Sequence, residues 1–137
     1  MLDRADLSEA LLDDANLQGA RLDDANLQRT QLEGANLQGA GLEGADLHET
    51  RLKGADLSYA KLENVRMCNI DLSSAINVTQ DQVDSAFGDG TVILPEGLVR
   101  PDHWPEWQMD WARFQREWDK WRADPDGYTP PPEEAGS

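Results

Sequence analysis

Apolar residues recur along this chain every five positions, a spacing that fits neither a helix nor a flat strand. Leucine occupies 2, 7, 12, 17 and so on to 62, and again 72, with Met67 in the one gap. Two residues before each centre stands a small or β-branched residue: Ala5, Ala10, Ala15, Ala20 and Ala25, then Thr30, Thr50, Val65 and Ile70 among further alanines. Fifteen centres follow without an insertion, and Asn77 breaks the series. A five-residue unit with two inward positions builds a four-sided turn of twenty residues, and successive turns stack at the β-sheet spacing of ~4.8 Å. The prediction is an all-β solenoid of about 3.5 coils over residues 1–75, filled by four leucine columns.

Positions twenty apart then share a face. On the first face Asp3, Asp23, Glu43 and Glu63 form a carboxylate row with Asp24 beside it, and Arg4, Arg21 and Lys61 offset part of the charge. Like charges at strand spacing repel, so such a row is either a solubility device or a docking face. Glu9, Arg29 and Glu49 alternate in sign on the second face, where Cys68 lies one turn above His48. The third face carries Asp13, Glu33 and Lys53, and the fourth, with Asn16, Asn36, Gln18 and Gln38, is nearly neutral. The core enlarges to Val65, Met67 and Ile70 at its C-terminal end, whereas Met1-Leu2 is already in register. The first turn is therefore expected to be open, paired with a second copy, or continuous with further sequence.

The recurring A(D/N)LXX unit, as in "ADLSE", "ANLQG", "ANLQR", "ADLHE" and "ADLSY", resembles the pentapeptide-repeat proteins. That resemblance implies a right-handed quadrilateral β-helix without catalytic activity. It implies little about role: the leading expectation is a scaffold presenting a rigid face to another protein, and the alternative, as in the best-understood members, is a DNA mimic that binds DNA gyrase or topoisomerase IV. A rod of ~17 Å is short for imitating a duplex, although a homodimer would double it. The segment "AFGDGTVILPEGLVRPDHW" is similar to a tail that follows the repeats in some bacterial members.

Beyond the repeat the periodicity changes. In residues 76–103, a capping segment, Thr79 is the expected N-cap of a short helix with Gln82 three residues on, and Gly88 its stop. A short strand, Thr91 to Leu94, and a turn at Pro95-Glu96-Gly97 follow. Residues 104–123 place Trp107, Trp111, Phe114, Trp118 and Trp121 at spacings of four and three, one stripe of an amphipathic helix with Pro105 in its first turn. Three surfaces could bury that stripe: its own solenoid, a second copy or partner, or a membrane interface. Its mixed charge gives no pull toward anionic lipid. On its own solenoid it is expected to choose the neutral fourth face and to leave Trp118 and Trp121 available for a partner. Residues 124–137, polar and proline-rich, are expected to be a flexible tail.

Composition narrows the function classes. With 27 acidic against 12 basic residues the net charge is −15, which disfavours direct nucleic-acid binding. A single cysteine excludes an internal disulfide, and no apolar run is long enough for a transmembrane segment. These features point to a cytoplasmic protein. His48, His103 and Cys68 form no ligand-spaced set, "GDG" at 88–90 lacks the rest of a phosphate loop, and carboxylates on a convex prism lack a desolvating cleft. The sequence thus predicts no enzyme, no metal and no cofactor, with interaction residues sought on the aromatic stripe and the acidic face.

Overall fold

A computed structural model describes residues 2–133. Parallel bridges join residues twenty apart throughout the repeat: Asp6 to Asn26 to Asp46 to Arg66, and Asn16 to Asn36 to Asp56 to Ile76. Leu22 N donates to Gly41 O, and Leu42 N to Lys61 O, so each coil is pinned to the next. Twenty residues make one coil, four five-residue units in each.

The unit is held by a turn at each corner. The amide of the small residue donates back to the leucine carbonyl three positions earlier, as in Ala25 to Leu22 and Ala45 to Leu42. The third residue of each such turn is left-handed: φ is +71° at Gly44 and between +56° and +62° at Arg29, Glu49, Tyr59 and Asn64. Glycine, asparagine and aspartate tolerate that region, whereas arginine, glutamate and tyrosine adopt it only where surrounding structure compels them. Stacking between coils does so here. The leucines from Leu22 to Leu62 are buried, while Leu2 is 38% exposed and Leu7, Leu12 and Leu17 are partly so. Two threonines enter the small inner column because their hydroxyls have partners. Thr30 Oγ1 donates to Leu7 O at 2.8 Å, and Thr50 Oγ1 to Leu27 O at 2.7 Å.

The C-terminal end is closed by continuing the solenoid rather than by covering it alone. Helix α1, Gln80–Ser85, begins with the expected capping box between Thr79 and Gln82. Gln82 Nε2 donates to the carbonyls of Leu57 and Ala60, tying the helix to the fourth face. It ends at Ser85, before the expected stop at Gly88, because Phe87–Gly88 forms a strand, β2, parallel to Arg66–Met67, β1. Gly88 takes the register position of a column leucine, and the indole of Trp104 fills the space. Trp104 is 2% exposed and donates from Nε1 to Ala86 O at 2.8 Å. The strand expected at Thr91 to Leu94 contracts to one bridge between Ile93 and Asp71 on the third face.

The aromatic helix is shorter than the stripe predicts. Helix α2 spans Trp111–Ala123, opened by Asp110, whose carboxylate accepts from Arg113 N at 2.8 Å. Residues 104–110 are drawn into the end cap instead: Gly90 N donates to Trp107 O, and Met109 N to the buried carboxylate of Asp89. No described helix is long and apolar enough to cross a membrane.

Candidate interaction surfaces

Helix α2 lies on the second face at its C-terminal end, not on the neutral fourth face. Trp118 Nε1 donates to Asn64 O at 2.8 Å, and the ring is flanked by two guanidinium groups, Arg66 at 4.3 Å and Arg122 at 4.0 Å. Arg66 also donates to Gln115 Oε1 and Gly44 O. Burial pulls the Arg66 pKa down, an effect opposed by Asp46 and Asp24. Trp111 lies tilted against His48, with centroids 4.7 Å apart, and Phe114 and Trp121 meet Phe87 at 5.3 and 5.5 Å. The expectation that the helix would choose the neutral fourth face failed for a definite reason. At this end the second face offers small Cys68, the Phe87 ring of β2, and one arginine whose charge a tryptophan face accepts.

The aromatic stripe is consequently divided. Phe114, Trp118 and Trp121 are buried within their own chain, so the expectation that Trp118 and Trp121 stand free is corrected. Trp107 and Trp111 keep partial exposure. Four residues outside the predicted set hold the arrangement together: Phe87, Trp104, Glu117 and Tyr128. Glu117, 3% exposed, accepts from Lys120 Nζ at 3.0 Å and from Tyr128 OH at 2.8 Å, with Arg113 Nε 3.7 Å away. The start of the tail expected to be flexible is thereby anchored, and Trp107 Nε1 donates to Pro131 O at 3.1 Å further along it. Burial and the Glu117 carboxylate push the Tyr128 pKa well above its ordinary value. Residues 134–137 lie outside the described part of the chain.

On the first face the carboxylate row has internal order. Asp3 Oδ1 accepts from Asp23 N, and Asp23 Oδ1 accepts from Glu43 N, each acid binding an amide one coil above. Arg21 lies 3.7 Å from Asp3. Asp24 points toward Gly44, while Glu43 and Glu63 are exposed. The expected ion pair on the second face is present between Arg29 and Glu9, at 3.1 Å. On the fourth face, Asp56 accepts from Ser58 and from Gln38 Nε2, and these hydrogen bonds hold its pKa below the ordinary range.

His48 and Cys68 do meet, with Nδ1 2.7 Å from Sγ, and Glu49 lies 3.4 Å from the other ring nitrogen. The arrangement is nonetheless unsuited to nucleophilic chemistry. Cys68 is 4% exposed, and burial with nearby Asp89 and Asp46 drives its pKa far upward, away from the thiolate. Among the described residues no group of three or more histidine, cysteine or acidic side chains is placed to hold a metal ion.

The stacked parallel bridges and the leucine-filled interior define a β-solenoid. The family described as Pentapeptide repeats (8 copies) matches residues 2–39 and 35–73, and the chain belongs to that family. A pentapeptide repeat protein from Nostoc PCC 7120 is 32% identical, with 71% of this chain and 75% of that one covered and a TM-score of 0.54. One from the Arabidopsis thaliana thylakoid lumen is 27% identical over 83% of this chain and 72% of that chain, with a TM-score of 0.51. These neighbours imply a right-handed β-helical solenoid. QnrB1, a plasmid-mediated fluoroquinolone resistance protein, is 17% identical over 85% of this chain and 65% of its own, with a TM-score of 0.41. At that distance it carries no argument about role. No curated protein matches the chain.

Proposed function

We propose that this protein is a non-catalytic scaffold of the quadrilateral pentapeptide-repeat type that presents its first face, Asp3, Asp23, Asp24, Glu43 and Glu63, to a basic surface on another protein. One observation carries the reading. The carboxylates of Asp3 and Asp23 are each fixed by an amide of the coil above, so the row is built on two preordered charges with Glu43 and Glu63 exposed beyond them. The two preordered carboxylates lose little side-chain entropy on docking, and the charge of the whole row steers a basic partner at low ionic strength. The cytoplasm is the compartment this reading favours.

The test neutralises the exposed members that hold no amide. Glu43→Gln with Glu63→Gln should leave the melting temperature within about 1–2 °C of wild type, as expected of exposed substitutions. The same pair should release a partner captured by the wild-type protein and reduce the salt dependence of that capture. Capture unchanged by both substitutions would overturn the acidic-face assignment.

The acidic row also favours a second reading, binding to DNA gyrase or topoisomerase IV as a DNA mimic. Four coils at ~4.8 Å give a rod of only ~20 Å, which is why it stands second. Inhibition or protection of purified gyrase in a supercoiling assay, lost with Glu43→Gln and Glu63→Gln, would promote it. No effect at micromolar protein would remove it.

A further inference from the structure

We infer that the Trp107 surface is a binding groove for a proline-rich extended segment, and that the chain's own Thr129-Pro130-Pro131-Pro132 occupies it in cis. The groove is independent of the acidic row. Three consecutive prolines fix φ near −65° and favour an extended polyproline helix that has no internal hydrogen bonds. Such a segment offers bare carbonyls and flat pyrrolidine faces, which an indole recognises with its N–H and its ring. Trp107 supplies the N–H: Nε1 donates to Pro131 O at 3.1 Å, while Pro130 and Pro131 are partly buried. The Arg113 guanidinium lies over the Trp107 ring at 5.7 Å and helps to fix it. A cleft of about 520 Å³ runs beside the prolines toward Pro101, Trp104 and Pro105.

The contact has the features of a resident ligand rather than of core packing. Pro132 and Glu133 are exposed, and the only described hydrogen bond from Trp107 to the tail is the one at Pro131. Occupancy rests on the tether. Tyr128 is held by Glu117 and packs edge-on against Phe87 at 5.8 Å, three residues before Pro131. So short a link gives an effective concentration on the order of millimolar or more. The tail therefore screens the groove from weak ligands, and a proline-rich segment of another protein must compete with it.

The experiment uses a labelled, end-blocked peptide of sequence YTPPPE and reads fluorescence anisotropy on the full chain. Replacing Pro130, Pro131 and Pro132 together by glycine should vacate the groove without touching the Tyr128 anchor. Saturable binding to that variant, at least tenfold tighter than to wild type, is the expected result. Adding Trp107→Phe, which keeps an aromatic ring but removes the donor, should weaken it again by several-fold, and a YTGGGE peptide should not bind. Glu43→Gln with Glu63→Gln should leave peptide binding unchanged, so failure of the acidic-face reading and failure of this one are separable. No binding to the triple variant at millimolar peptide, or equal binding to wild type, would overturn the assignment. So would a wild-type dimer that the triple variant abolishes, because the groove would then belong to a second copy.

Discussion

Gly88→Ala is the most exacting test of how the solenoid is closed. A methyl group on Gly88 would stand 2.8 Å from Cε3 and Cζ3 of Trp104 and 3.0 Å from Cη2. Carbon atoms rest ~3.5–4.0 Å apart, so the ring would have to retreat by up to ~1 Å. It has no room to do so: Trp104 is 2% exposed, and its Nε1 is tied to Ala86 O at 2.8 Å, two residues from the substituted position. Overpacking of this kind costs ~1–3 kcal/mol, and lengthening the indole hydrogen bond adds ~1 kcal/mol. A loss of roughly 2–4 kcal/mol is expected, a large part of a typical domain's ~5–15 kcal/mol.

Urea unfolding followed by far-ultraviolet circular dichroism measures it. Gly41→Ala is the control, because its nearest neighbour at 3.1 Å is a carboxylate oxygen of Asp23 rather than an enclosed ring. That variant should lose less than ~1 kcal/mol. Trp104→Ala should cost ~3–5 kcal/mol alone. Combined with Gly88→Ala it should cost less than the sum, since the methyl enters volume the indole has vacated. A Gly88→Ala protein as stable as wild type, or strict additivity in the double variant, would refute the view that Trp104 replaces the missing column leucine.

Trp118→Ala removes a buried ring that bonds Asn64 O and lies between Arg66 and Arg122. It should destabilise the fold by ~3–5 kcal/mol, and an unchanged melting curve would return Trp118 to the surface. Acid stability should fall in two windows. His103 has its pKa lowered, first by burial, so the unfolded chain binds its proton more readily and stability declines as pH drops below 6.5 toward the folded value. Asp6, Asp56 and Asp71 are lowered by their serine hydrogen bonds, so their contribution is present above the ordinary 3.8 and is lost as pH falls below it. Replacing His103 by glutamine should flatten the upper window only, as read by melting temperature against pH. Cys68 should react with Ellman's reagent only as fast as the native protein opens, and prompt stoichiometric reaction would show that the thiol is not buried.

The repeat was legible because one physical rule acts fifteen times. Each leucine centre meets the same interior, so register, column membership and coil length follow from spacing alone, and Thr30 and Thr50 fit once their hydroxyls find carbonyls. The end of the solenoid obeys no period, and there the reading drifted. Gly88 resembles a helix stop in sequence, but three-dimensionally it is the position where a leucine is replaced by glycine plus a distant indole. Trp104 stands three residues before Trp107 and keeps the stripe's spacing, yet Pro105 separates the two and Trp104 seals the core from outside the helix. Trp107 lies on the stripe and yet outside the helix, because Asp89 and Gly90 tie residues 107–109 to the cap. The same contacts explain why the helix lies where it does. Once Phe87 pairs with Arg66, the aromatic surface available to α2 is on the second face. Stacking Arg66 on Trp118 then lets a charged position be covered, which a ledger of face charges alone would have ruled out. Side-chain periodicity identifies what each element must bury; which surface receives it depends on contacts between residues with no fixed separation in the sequence.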